Sequence, residues 1–182
     1  MFLYTFIIKL MKYSSNYIYL GLGANLRSLS YNNINNLIES VKIRLPRLGL
    51  RVTSSSNNWI TCPMPYSNIP YFINCVIKCI IIRERTNNPY NLLKDIKNLE
   101  KVMGRGKKKK NISRIVDIDI LDFKGIVVSE ELILPHPRMH LRKFVLSPLK
   151  SIDKSWKHPI FDLKADSLFN KIKTVQYLKE KL

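Results

Sequence analysis

The segment Tyr71 to Ile82 reads YFINCVIKCIII, twelve residues that are mostly β-branched or aromatic, without glycine or proline. Such a run predicts a strand long enough to sit centrally in a sheet, paired on both edges and covered by apolar side chains. Everything else in the chain must be compatible with that strand. Tyr17 to Leu22 and Leu48 to Ser56 read as further strands, and Ile115 to Phe123 alternates as a fourth. Ile34, Leu37, Ile38, Val41 and Leu45 recur at helical spacing within Tyr31 to Leu45, and Pro46 with Gly49 ends that helix. Pro89 to Met103 is a second helix, with Asn88 as cap, Pro89 in the first turn and an apolar stripe through Leu92, Leu93, Ile96, Leu99 and Met103. Lys124-Gly125 forms a tight turn into Ile126 to Val128, and Leu132 to His136 is a short extended piece. The last third mixes loop with Arg142 to Leu149 and a helix near Leu168 to Leu182. The order β-α-β-β-α-β predicts a single-domain α+β fold, a ferredoxin-like sheet with helices packed on the faces. Residues 16–182 are read as this domain and residues 1–15 as an extension outside it.

Composition narrows the function without naming it. Of 182 residues, 31 are Lys or Arg and 13 are Asp or Glu, a net charge of +18 that calls for an anionic partner. With 46% hydrophobic residues the chain is not a disordered polyelectrolyte. Abundant Ile, Lys, Asn and Tyr, whose codons are rich in A and T, account for part of the Lys excess without any binding role. Cys62, Cys75 and Cys79 have neither a disulfide framework nor zinc-ligand spacing and are read as reduced thiols in a cytoplasmic protein. No run of eighteen apolar residues crosses a membrane. Met1 to Leu10 is apolar, but lacks the leading positive charge of a signal peptide, and Met11 offers a second start.

The sharpest chemical feature is Asp117-Ile118-Asp119. On a strand, residues two apart share a face, roughly 7 Å apart at Cα. Two carboxylates among apolar neighbours are costly unless a cation neutralises them, and Mg²⁺ takes one or two carboxylates together with substrate phosphates. The alternative is a pair of solvated carboxylates on an edge strand. Upstream, Gly104-Arg105-Gly106 runs into four lysines, Lys107 to Lys110, and then Arg114. This is either a solvated charge run or a loop that folds over a polyphosphate, with Arg114 the better bidentate partner. His136, Arg138, His140 and Arg142 crowd one short segment that lacks a metal-binding HExxH pattern. Gly21-Leu22-Gly23-Ala24-Asn25 is not a P-loop and by itself marks only a tight turn.

Together these segments resemble the 6-hydroxymethyl-7,8-dihydropterin pyrophosphokinases of folate synthesis. The matching pieces are Leu20 to Leu26, Thr61-Cys62-Pro63, Tyr71 to Asn74, Leu99-Glu100 with Gly104-Arg105, Arg114 with Asp117 to Leu121, Leu134 to Arg138, and Arg142 to Leu149. The resemblance covers roughly residues 17–172. It implies transfer of the terminal diphosphate of ATP to the pterin alcohol, leaving AMP, by a monomer that binds neither nucleic acid nor membrane. It further implies two Mg²⁺ ions on Asp117 and Asp119, and catalytic arginines Arg105 and Arg114. The pterin site would comprise Thr61, Pro63, Phe72, Asn74, Phe144 and Arg142. The ATP contacts would be Glu100, Lys107, Arg114 and His136. The chain departs from the family pattern at Lys110 to Ser113, where a Trp-Gly-Pro element is missing, and at Lys97, Cys62 and Phe72. The competing readings are a basic RNA-binding module on a ferredoxin-like sheet, another Mg²⁺-dependent nucleotidyltransferase, and a degenerate homologue without activity.

Overall fold

The computed structural model describes residues 15–24, 34–62, 71–104 and 116–181. Strands β1 (Tyr17–Ala24), β2 (Leu50–Ser55), β3 (Asn58–Thr61), β4 (Phe72–Ile81), β5 (Asp117–Phe123) and β8 (Leu178–Lys181) form one sheet. Val128–Ser129 (β6) and Ile133–Leu134 (β7) make a separate two-stranded ribbon. The helices are α1 (Ile34–Arg44), α2 (Pro89–Val102), α3 (Lys143–Ile152) and α4 (Ala165–Lys171).

The sheet order is β5-β1-β4-β3-β8, with β2 also on β4, and every pairing is antiparallel. As predicted, β4 lies inside the sheet, but its outer edge is shared by two short strands. β2 pairs with Ile77 to Ile81 and β3 with Phe72 to Asn74. Between them, Ser56 keeps contact by donating its N–H to the Val76 carbonyl (2.9 Å) and accepting the Val76 N–H on Oγ (3.0 Å). Together, β2 and β3 act as the second strand of a βαββαβ unit, which gives the ferredoxin-like arrangement.

Alternation on the strands builds two apolar layers. Ile18, Leu20, Leu22, Ile77, Cys79, Ile118 and Ile120 pack with Leu37, Ile38 and Val41 of α1 and Leu92 and Ile96 of α2. On the other face, Tyr19, Val76 and Leu121 pack with Val145, Leu146 and Leu149 of α3, and with Ala165 and Leu168 of α4. Asn88 caps α2 as expected, its Oδ1 accepting the N–H groups of Tyr90 (2.9 Å) and Asn91 (3.2 Å). The cysteines are free, and burial pushes the Cys75 and Cys79 thiols up to about 12, so both stay protonated. No helix among the described residues is long and apolar enough to cross a membrane.

One expectation changes. The helix near Leu168 to Leu182 is only α4; the chain then extends and Leu178–Lys181 pairs with β3. Ile172, Thr174, Val175 and Tyr177 favour extended backbone, and β3 would otherwise be an open edge. The Lys124-Gly125 turn is present, with φ of 58° and 74°. Its outgoing arm leads to Val128–Ser129, which pairs with β7. The 1–15 extension lies outside the described residues except for Ser15.

One buried charge makes the fold pH-sensitive. Tyr19 pairs with Asp122 and Leu20 with Ile120, so β5 bulges at Leu121. Asp122 is buried, accepts the Trp156 indole N–H (2.8 Å) and the Gly125 N–H (2.8 Å), and its carboxyl is pushed up to about 6 by burial despite both bonds. The folded state therefore binds a proton more tightly than the unfolded chain does. Stability from this group is present below about pH 4 and lost as pH rises through about 6, on the order of 3 kcal/mol. In Asp122→Asn this slope is expected to vanish. Urea unfolding at pH 4.5 and 7.5 checks it: the free-energy gap between the two proteins should change between the two pH values.

Candidate active site

The register of four strands builds the site. On β5 the side chains of Asp117, Asp119 and Leu121 share a face. Gly23 of β1 lies opposite Asp117, and Gly21 opposite Asp119. Across β1, Gly23 faces Asn74 of β4 and Gly21 faces Val76. On the next strand, Trp59 lies opposite Asn74, and Thr61 opposite Phe72. One row thus crosses the sheet as Asp117, Gly23, Asn74, Trp59. Tyr19, Val76 and Leu121, further along the same face, lie under the layer that includes α3 and α4.

The glycines, which by sequence marked only a turn, are β-strand positions that form the floor of this row. A Cβ on Gly23 would stand 3.1 Å from the Asn74 side-chain oxygen, and one on Gly21 would stand 3.3 Å from Leu121. With no side chain between them, the carboxylate strand and the Asn74 strand face each other over bare backbone, two strand spacings or roughly 10 Å apart. Asn74 is oriented from the far side. Its Nδ2 donates to the buried Thr61 hydroxyl at 2.7 Å. Its Oδ1 therefore stands over Gly23 as an acceptor.

The second wall comes from the segment that the sequence marked for its histidines and arginines. The His136 N–H donates to the Leu121 carbonyl (2.8 Å), which fastens this segment to β5. His136 Nε2 lies 3.8 Å and the Arg142 guanidinium 3.7 Å from the Asp119 carboxylate. Neither reaches hydrogen-bond distance, so Asp119, with 36% of its side chain exposed, keeps accessible oxygens. Burial lowers the pKa of His136 against the opposing pull of Asp119. The Arg142 guanidinium sits 5.5 Å from the Phe144 ring centre at the start of α3. Phe72 and Phe144 are both half-buried.

Glu100, expected to contact ATP, is wholly buried at the end of α2. It accepts the Ile118 N–H at 2.9 Å and pairs with Lys97 at 3.1 Å. It thus holds the one backbone amide between the two aspartates. Arg105, Lys107, Arg114 and Pro63 lie outside the described residues. Trp59 belongs to the row but was not anticipated; its indole N–H is buried and has no hydrogen-bond partner among the described residues. Clefts of about 400 and 470 Å³ lie elsewhere, beside Asn58 and Tyr17, and neither contains an expected site residue.

The donor set suits Mg²⁺. Asp117 and Asp119 offer hard oxygen ligands, and the described residues contain no cluster of three or more His, Cys, Asp or Glu side chains that would form an all-protein cage. An ion held by one or two carboxylates and completed by phosphate oxygens is the ordinary arrangement for Mg²⁺.

Residues 19–154 match the family described as 7,8-dihydro-6-hydroxymethylpterin-pyrophosphokinase (HPPK). The chain belongs to the HPPK family. Among HPPK relatives, the 2-amino-4-hydroxy-6-hydroxymethyldihydropteridine pyrophosphokinase of Aquifex aeolicus is 34% identical over 146 residues, 79% of this chain and 84% of that protein. The enzyme of the same name from Bacillus subtilis is 31% identical over 139 residues, 76% of this chain and 78% of that one. The folic acid synthesis protein fol1 of Pneumocystis carinii is 33% identical over 85% of this chain. There the chain spans only 20% of the relative's length. In structure, the HPPK-DHPS of Plasmodium falciparum solved with pteroate superposes with a TM-score of 0.66 at 17% identity, covering 86% of this chain and 44% of that one. That likeness supports the HPPK fold. The RNA-binding reading is not favoured, because two carboxylates on the sheet face would repel a phosphate backbone.

A side chain on the HPPK glycine floor should disturb Asn74. Gly23→Val is expected to displace the amide from Thr61 and to destabilise the fold by about 1–3 kcal/mol, as overpacking does. The measurements are urea denaturation and the side-chain amide resonance of Asn74, which should lose its hydrogen-bonded shift.

Proposed function

We propose that the chain transfers the β,γ-diphosphate of ATP to the hydroxymethyl oxygen of 6-hydroxymethyl-7,8-dihydropterin. The new bond joins that oxygen to Pβ, and the bond from Pβ to the bridging oxygen breaks. AMP leaves with the bridging oxygen, and the hydroxyl proton is lost. The observation that carries this reading is the cross-sheet row: a carboxylate pair on β5 and an oriented amide on β4, separated by two glycines, in a chain of the HPPK family.

Each residue has a role that its chemistry supports. Asn74 Oδ1 accepts from the N–H edge of the heterocycle, with Thr61 holding the amide in that sense. Phe72 and Phe144 offer ring faces to a flat substrate. Asp117 and Asp119 would hold Mg²⁺, two ions in the full complex, which would neutralise phosphate charge and make the attacking hydroxyl more acidic. Arg142 and His136 approach Asp119 from the side on which the triphosphate would lie. Glu100 serves ATP from behind, by fixing the backbone between the two aspartates. Pro63 is assigned to the pterin side, and Arg105, Lys107 and Arg114 to the phosphates, as the resemblance to the HPPK family implies. The work is mostly positioning and charge neutralisation, as phosphoryl transfer requires. A monomer in the cytoplasm, where ATP is abundant, completes the proposal.

Incubation with ATP, Mg²⁺ and the dihydropterin, followed by chromatography, should yield AMP and the pterin diphosphate in equal amounts. Asp117→Ala and Asp119→Ala should each lower that rate by on the order of 10²–10³-fold, the loss of several kcal/mol of charge stabilisation. Full activity in either variant would remove the metal assignment. EDTA should abolish turnover, and Mg²⁺ should restore it.

A further inference from the structure

The family match ends at residue 154, yet the segment after α4 returns to the site. Gln176 spans the turn at the start of α3. Its Nε2 donates to the Leu141 carbonyl at 3.0 Å, and its Oε1 accepts the Lys143 N–H at 2.9 Å. Arg142 is the residue between those two contacts. Immediately beyond, the Tyr177 ring packs on Tyr71, 6.1 Å between centres, next to Phe72. Leu178 then pairs with Thr61, the residue that orients Asn74.

The start of α3 is held by a remote glutamine and has no local side-chain cap. Arg142 is the N-cap of α3, with extended φ and ψ of −117° and 105°, and it makes no side-chain capping bond. An N-cap normally supplies an oxygen to the first free N–H groups of the helix. A guanidinium has no acceptor and cannot do this. Its side chain is instead directed to Asp119 and the Phe144 ring. The Lys143 N–H, the first of the helix, lies out of reach of an N-cap side chain, which serves the second and third N–H groups, and is taken by Gln176, 33 residues downstream. One amide group thus binds both peptide units that flank Arg142 and limits rotation about its backbone.

The geometry points to Gln176 as a positioning residue for the transfer reaction, acting through Arg142 from a tail that lies beyond the family match. The inference rests on the proposed function. It predicts that the cost of losing Gln176 depends on the presence of Arg142, which a general contribution to folding would not do.

The test is a double-mutant cycle on the full chain: wild type, Gln176→Ala, Arg142→Ala and the double variant. Each is assayed for AMP formation over a range of dihydropterin and ATP concentrations, with thermal unfolding followed in parallel. Gln176→Ala should lower kcat/KM about tenfold, in keeping with a small misplacement of a reacting group. Combined with Arg142→Ala it should cost nothing further. Equal losses in both Arg142 backgrounds, or wild-type kinetics in Gln176→Ala beside a crippled Arg142→Ala, would overturn the inference and leave the proposed function standing. Full activity in Arg142→Ala would remove both the site role of Arg142 and this inference. If Gln176→Ala does not fold, Gln176→Glu, which keeps an acceptor for Lys143 but opposes the Leu141 carbonyl, replaces it in the same cycle.

Discussion

The pairing of β1 with β4 on one side and β5 on the other is the constraint on which the rest depends. Register in an antiparallel sheet decides which side chains meet, and a slip of one residue would send every one of them to the other face. Here it brings Gly23 between Asp117 and Asn74. Side chains alternate, so the same pairing commits Ile118 and Ile120 to the layer under α1 and α2. The burial of those isoleucines thus holds the two carboxylates on the opposite face. The energy that fixes the site is largely apolar burial on the far side of the sheet.

Strand β5 also shows how environment separates like residues. Asp117, Asp119 and Asp122 lie within six consecutive positions. Asp119 is part-exposed and faces two basic groups at a distance. Asp122, displaced by the bulge at Leu121, is buried against Trp156 and binds a proton far more readily than an ordinary aspartate. One is suited to bind a cation and the other is a structural hydrogen-bond acceptor, although both are aspartates on one short strand.

Much of the fold was legible because its signals are local. The apolar run of β4, the 3.6-residue stripe of α2 and the Asn88 cap depend on neighbours within a few residues. Asp117 and Asp119 were legible as a pair because spacing on a strand is fixed by the backbone. Strands β3 and β8 were not, since each is four residues long and exists by virtue of a distant partner. Glu100 was marked as a site residue, but its burial beneath β5 could be seen only once α2 was placed. Gln176 and Trp59 carried no signal at all, because nothing near them in the chain needs them.

The sequence by itself determined the α+β class, the order of its main elements and the carboxylate pair, while the asparagine and aromatic residues of the expected pterin site came from the resemblance to the HPPK family. Tertiary structure decided that glycines separate the carboxylates from Asn74, that Asp122 is buried while Asp119 is open, and that a C-terminal strand closes the sheet beside Thr61. The division follows from range. Propensity, capping and side-chain alternation act over a few residues and are written into the chain. Strand register, burial and the sharing of hydrogen bonds between distant segments arise only when those segments pack together.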